Sequence, residues 1–157
     1  MAQVMASVAN GGKIYRPTLI KGSYAPIAEI NLKPETVRKI RTALRDVVAG
    51  GTGKNAFLPY VSIGGKTGTV QVVSKRVGLT GEKYMDHAWF VAFAPVDNPE
   101  IALAVFVEHG GGGGAVAAPI AKQVMAAYFG PKLQKRSDTA QGENGVKEGL
   151  EDEDVEH

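Results

Sequence analysis

The sequence predicts an α/β (α+β) domain in which a three-stranded antiparallel sheet carries helices on its faces. Apolar residues recur with helical spacing between residues 34 and 50, and again between residues 115 and 129. Three runs rich in apolar or β-branched residues, which are typical of strands, lie between these two segments. The chain has 157 residues and is 44% hydrophobic, so it holds enough apolar residues for the core of one domain.

The first half of the chain is predicted to contain two helices. Residues 2–10 indicate a short helix that stops at Asn10-Gly11-Gly12, and residues 13–21 indicate an extended segment. Pro34 suits the first position of the second helix, and the Gly50-Gly51 pair ends it. One face of this second helix carries apolar residues that we expect to be buried: Val37, Ile40, Leu44, Val47 and Val48.

The second half predicts three strands and a last helix. Residues 63–73 are β-branched and rich in Thr and Val. Residues 88–94 and 101–107 are apolar at nearly every position, which predicts two strands covered on both faces and joined by a tight turn. After a Gly-rich loop, the last helix spans residues 115–129 and carries an apolar stripe: Val116, Ile120, Val124 and Tyr128.

Charge divides the chain into two parts. Residues 131–157 contain eight acidic and four basic residues and few large apolar ones, which predicts a disordered tail after a domain of residues 1–130. The domain itself is basic and can attract an anionic polymer, although a solubilising surface is the simpler explanation. No nucleic acid partner and no cofactor are predicted. The absence of Cys excludes disulfides and thiolate metal sites.

The stretch Gly64-Gly65-Lys66-Thr67-Gly68-Thr69 is the candidate site. On a strand, alternation places Thr67 and Thr69 on one face and Lys66 on the other. Gly68 has no side chain, so a ligand can approach its backbone closely. Two hydroxyl groups, free backbone N–H groups and a nearby cation suit a carboxylate or a developing oxyanion. The sequence therefore predicts an anion-binding strand edge. If the Lys-Thr-Gly motif is considered without its surroundings, a Gly-rich strand with an incidental Lys is the alternative.

The motif and its surroundings resemble the C-terminal part of class B penicillin-binding proteins, in which Lys-Thr-Gly is one of three active-site motifs. The similarity extends over residues 1–130 and is greatest to the penicillin-binding protein 2 branch. The segments that carry it are, in order, Ala9-Asn10-Gly11-Gly12-Lys13, Tyr15-Arg16-Pro17, the run from His87 to Pro95, Glu108-His109-Gly110-Gly111 and Ala117-Ala118-Pro119-Ile120-Ala121.

The resemblance implies a penicillin-binding/β-lactamase-like transpeptidase fold and a role for each motif residue. Thr67, Gly68 and Thr69 would bind the carboxylate of a stem peptide or a β-lactam. The backbone N–H of Thr69 would form half of the oxyanion hole, and Lys66 would support the electrostatics of the site. It also implies a peptidoglycan D,D-transpeptidase at the periplasmic face of the inner membrane, anchored outside this chain and partnered by a glycan polymerase of the elongation machinery.

The nucleophile motif of that family, Ser-x-x-Lys, does not occur in these 157 residues, and neither does Ser-x-Asn. None of the Ser residues at positions 7, 23, 62, 74 and 137 has Lys three positions later. We therefore expect a fragment of a transpeptidase domain that is inactive alone, rather than a degenerate relative. We also expect it to self-associate through the sheet edge or face that it leaves open.

Two other functions compete with this interpretation. Gly65-Lys66-Thr67 resembles the end of a phosphate-binding loop, but Tyr60 replaces the required Gly and a strand follows instead of a helix. A non-catalytic peptide- or glycan-binding module of the same fold is the stronger alternative. His87 and His109 lie at strand ends without the spacing of a metal site, so His87 is predicted to serve packing or loop anchoring.

Overall fold

The structure is a computed structural model that describes residues 1–22, 24–72 and 81–147. The chain divides into two compact units, Met1–Val124 and Met125–His157. The helices are α1 (Ala2–Ala9), α2 (Pro34–Ala49) and α3 (Ala118–Lys147), and the strands are β1 (Lys13–Ile14), β2 (Ala28–Glu29), β3 (Gly64–Val70), β4 (His87–Ala94) and β5 (Ile101–Val107). Short helical turns lie at Lys54–Ala56, Glu82–Tyr84 and Gly113–Ala117, the last with π geometry.

The main sheet has the order β3-β4-β5, and both pairings are antiparallel. Its register places Gly68 opposite Trp89, and Trp89 opposite Phe106. β4 therefore lies in the centre, and within the described residues β3 and β5 are the two edges. A separate two-stranded pair joins β1 and β2.

The core surrounds β4, with its side chains divided between the two faces of the sheet. On one face, Met5 and Ala9 of α1 form a buried cluster with Val91, Phe93 and Val96. Phe90, which neighbours Val91 on β4, is also fully buried and lies on the other face because side chains alternate along a strand.

Two glycines at the start of β3 allow both aromatic rings to pack against this strand. An added methyl group at Gly64 would lie 2.7 Å from the ring of Phe93, and one at Gly65 would lie 2.6 Å from the ring of Phe90. Because real Cβ atoms do not approach other atoms so closely, the rings occupy the space that side chains would need. The core thereby fixes the strand that carries the Lys-Thr-Gly motif.

The predicted class, a three-stranded antiparallel sheet with helices, is confirmed, as are the two predicted helices of the first half. Of the predicted extended segment at residues 13–21, Lys13–Ile14 forms a strand. Its partner, Ala28–Glu29, was not predicted. The predicted strand over residues 63–73 is Gly64–Val70, and Val73 lies outside the described residues.

Burial differs from the predictions on three elements. On α2 only Val48 is fully buried, and the other four predicted positions are half-buried. Strand β5 is half-buried rather than covered on both faces, and Phe106 is 48% exposed, because β5 is an edge. In the last helical segment, the buried residues are Ala117, Ala118, Ala121, Met125 and Phe129, whereas Ile120 and Val124 are exposed. The buried stripe therefore lies beside the one that the sequence pattern indicated, and three of its five residues are Ala.

The backbone of α3 remains helical through Pro131 to Lys147. The disorder expected from residue 131 onward stays a prediction, and residues 148–157 of the acidic tail lie outside the described residues. The boundary at residue 130 stays a prediction. In the described part of the chain, none of the helices has the length and apolar character needed to cross a membrane.

Candidate functional site

The Lys-Thr-Gly-Thr motif lies on β3, at one edge of the sheet, as the sequence predicts. Thr67 pairs in register with the buried Phe90, and Gly68 with Trp89. Side chains alternate, so Thr67 and Thr69 share one face and Lys66 points to the other. Lys66 and Thr69 are exposed, and Thr67 is half-buried. Within the part of the chain that the structure describes, the edge therefore presents one hydroxyl group bonded to Thr52, one hydroxyl group without a hydrogen bond, and one cation.

Lys66 lies along its own strand. Its Nζ donates a hydrogen bond to the backbone oxygen of Thr67 at 2.8 Å, and in the described part of the chain it forms no ion pair. Its positive charge is therefore available to an anion bound at the edge.

Thr67 has a partner that the sequence did not predict. Its Oγ1 lies 2.9 Å from Oγ1 of Thr52, in a hydrogen bond that either hydroxyl can donate. Thr52 follows α2 in the turn Gly50-Gly51-Thr52-Gly53. In the sequence, this Gly-rich turn predicts the end of a helix and nothing about the site. No local pattern relates residues that lie 15 positions apart, so only the packing of α2 against β3 reveals the pair.

The π-helical turn Gly113–Ala117 packs directly on the motif. An added methyl group at Gly113 would overlap the backbone oxygens of Gly68 and Trp89, and one at Gly114 would overlap the backbone oxygen of Thr52. Nδ2 of Asn55 donates a hydrogen bond to the backbone oxygen of Gly114 at 2.9 Å. The sequence predicts a loop at Gly110–Gly114, so the helical turn that begins at Gly113 is a correction.

His87 and His109 anchor the same Gly-rich segment. The backbone N–H of His109 donates to Nδ1 of His87 at 2.9 Å, and Nδ1 of His109 lies 3.0 Å from the backbone oxygen of Met85. The backbone N–H of Gly111 donates to the backbone oxygen of Asp86 at 2.7 Å. The predicted role of His87 in loop anchoring is confirmed. Among the described residues, no cluster of His, Asp or Glu is suited to hold a metal ion.

Comparison with known proteins identifies the family. Residues 1–126 match the model of the penicillin-binding protein transpeptidase domain. The chain belongs to this family. It is 34% identical to the peptidoglycan D,D-transpeptidase MrdA of Haemophilus influenzae over 154 residues, which cover 85% of this chain and 24% of that protein. The family resemblance that the sequence motifs indicated is therefore confirmed.

Solved structures of penicillin-binding proteins share the fold. Pseudomonas aeruginosa penicillin-binding protein 2, solved in complex with WCK 5153, is 37% identical with a TM-score of 0.64, over 82% of this chain and 28% of that chain. Penicillin-binding protein A of Mycobacterium tuberculosis, solved as a ceftriaxone acyl-enzyme complex, is 32% identical with a TM-score of 0.63, over 80% of this chain and 31% of that chain. This penicillin-binding protein segment spans about a quarter of the length of the curated MrdA relative.

Proposed function

We propose that this chain supplies the carboxylate-binding edge of a serine-type peptidoglycan D,D-transpeptidase. The observation that carries the proposal is the placement of Thr67, Gly68 and Thr69 on an edge strand, with the exposed cation of Lys66 beside them. Hydroxyl groups and backbone N–H groups at a strand edge can hold the terminal carboxylate of an extended peptide. The ligand class is the stem peptide of peptidoglycan, and β-lactams that carry a carboxylate in the same position.

In the proposed reaction, a Ser supplied from outside these 157 residues attacks the carbonyl carbon between the last two residues of a stem peptide. The Ser oxygen forms the new bond, the C–N bond to the terminal residue breaks, and that residue leaves as a protonated amine. The amine of a second stem peptide then attacks the ester carbon, the C–O bond to Ser breaks, a proton of the amine returns to the Ser oxygen, and the new amide is the cross-link. The N–H of Thr69 would stabilise the oxyanion in both steps, and Lys66 would contribute its positive charge.

The proposed setting follows from the same relatives. A transpeptidase of the MrdA kind would act at the periplasmic face of the inner membrane and work with a glycan polymerase of the elongation machinery. Membrane attachment would then come from outside this chain. Exposed edges at β3 and β5 in the described residues support self-association of the chain when it is alone.

A matched pair of substitutions tests the proposal. In a complete transpeptidase domain that carries this segment, Thr67→Val should lower the acylation rate by a fluorescent penicillin about tenfold or more, because a hydrogen bond to a charged group contributes about 1.5–3 kcal/mol. Thr42→Val makes the same chemical change at an exposed position of α2 and should leave the rate unchanged. Equal rates for the Thr67 variant and the unsubstituted domain would reject the carboxylate-binding role.

A further inference from the structure

Three segments meet at Thr67: strand β3, the turn at residues 50–56 that follows α2, and the π-helical turn Gly113–Ala117. The π-helical turn touches β3 through backbone atoms, since no side chain fits between Gly113 and the backbone of Gly68. A methyl group added at Gly114 would lie 3.5 Å from Cγ2 of Thr67, so this turn also lies beside the Thr67 side chain. The position of the π-helical turn therefore affects the surroundings of Thr67.

Asn55 connects two of these segments. Its side chain lies in the turn at residues 50–56 and donates to the backbone oxygen of Gly114 at 2.9 Å, across 59 positions of sequence. Its own turn is well fixed, because Ala56 is completely buried and its N–H donates to the backbone oxygen of Gly53 at 2.9 Å. Asn55 thus connects the π-helical turn to the well-fixed turn at residues 50–56.

Thr52 connects the same turn, residues 50–56, to the motif through its 2.9 Å hydrogen bond with Thr67. Within one short turn, Thr52 therefore binds Thr67, and Asn55 binds the segment that packs beside Thr67. Loss of the Asn55 hydrogen bond would leave the π-helical turn attached on this side only by its close packing. The Thr67 side chain would then lose a fixed neighbour beside its methyl group.

We propose that Asn55 is a positioning residue for carboxylate recognition, which rests on the proposed function of the Thr67 edge. Asn55 holds Gly114 in place, and Gly114 limits the positions available to the Thr67 side chain. Asn55 itself does not touch the ligand. The consequence is selective: ligands that use a carboxylate at this edge depend on Asn55, and ligands that lack this carboxylate do not.

The test compares acylation by a penicillin with acylation by its methyl ester, in a complete transpeptidase domain that carries this segment. Asn55→Ala should lower the ratio of the acid to the ester rate constants about fivefold, the factor expected for one neutral hydrogen bond. Asn55→Gln, which keeps an amide donor, should restore most of the ratio. Asn98→Ala is the matched control, since Asn98 is an exposed Asn in the turn between β4 and β5, and it should change nothing.

A double substitution separates this inference from the function on which it rests. If Asn55 acts through Thr67, Asn55→Ala should have no further effect on the ratio in a Thr67→Val background. A ratio that Thr67→Val lowers but Asn55→Ala does not would overturn the positioning role alone. A ratio that Thr67→Val leaves unchanged would overturn the proposed function and this inference together.

Amide hydrogen exchange on the chain itself provides a second measurement that does not need catalysis. Asn55→Ala should increase exchange in residues 113–117 and leave exchange in α1 unchanged, because only the π-helical turn loses its anchor. Unchanged exchange in residues 113–117 would show that packing alone holds the turn, and would count against the role of Asn55.

Discussion

Gly113→Ala tests the close contact between the π-helical turn and the motif strand. The added methyl group would lie closer than 3.0 Å to the backbone oxygens of Gly68 and Trp89, a separation that real Cβ atoms essentially never show. Backbone atoms cannot rotate away as a flexible side chain can, so the turn must move off the strand. Overpacking of this kind costs about 1–3 kcal/mol of folding stability. For a chain of this size it should lower the Tm by about 2–12 °C.

Trp89 provides the assay, because it is the single Trp of the chain and its carbonyl is one of the two oxygens that the methyl group would meet. Thermal unfolding followed by Trp fluorescence should show a lower Tm for Gly113→Ala and a changed emission in the folded state. Gly112→Ala is the control, since an added methyl group at Gly112 has no atom within 4 Å. Equal Tm values for the two variants would refute the reasoning.

Three further predictions concern the core, the helix contacts and the isolated chain. Phe93→Ala should destabilise the fold by about 3–5 kcal/mol in urea unfolding, because Phe93 is completely buried, whereas Phe106→Ala should cost only about 1 kcal/mol for the lost aromatic contacts with Trp89 and His87. Arg41→Ala should speed amide exchange in α1 more than Arg38→Ala does, because Arg41 donates to the backbone oxygen of Ala9. The chain alone should not be labelled by a fluorescent penicillin, since it has no Ser-x-x-Lys, and covalent labelling of any residue would contradict this.

The sequence predicted the helices and strands that are determined by the spacing and type of their own residues. Helix α2 follows from its apolar spacing and from Pro34, and β4 follows from the seven consecutive apolar residues at 88–94. Strand β3 could be placed because its Thr-rich pattern and the family motif agree. These assignments depend on short-range properties, which a sequence displays directly.

Contacts between distant segments could not be predicted in the same way. The Thr52–Thr67 and Asn55–Gly114 hydrogen bonds join residues 15 and 59 positions apart, and neither Thr52 nor Asn55 lies in a recognisable motif. The buried face of the last helix was misplaced for a related reason. Three of its five buried positions are Ala117, Ala118 and Ala121, and Ala gives a weaker apolar signal than the Ile and Val that face outward.

The concentration of glycine around the motif explains how the site is organised. On β3, Gly64, Gly65 and Gly68 all lie against aromatic side chains or the neighbouring strand, and Gly113 meets the same strand from the π-helical turn. Because backbone packs on backbone there, no side chain of this chain can enter between the two segments. Under the proposed function, selectivity for a ligand would then come from the groups that remain at the edge, which are the two Thr hydroxyl groups, the free backbone N–H groups and the Lys66 amine. Under the proposed function, this packed surface would hold one carboxylate while a Ser from another segment of the domain attacks the peptide.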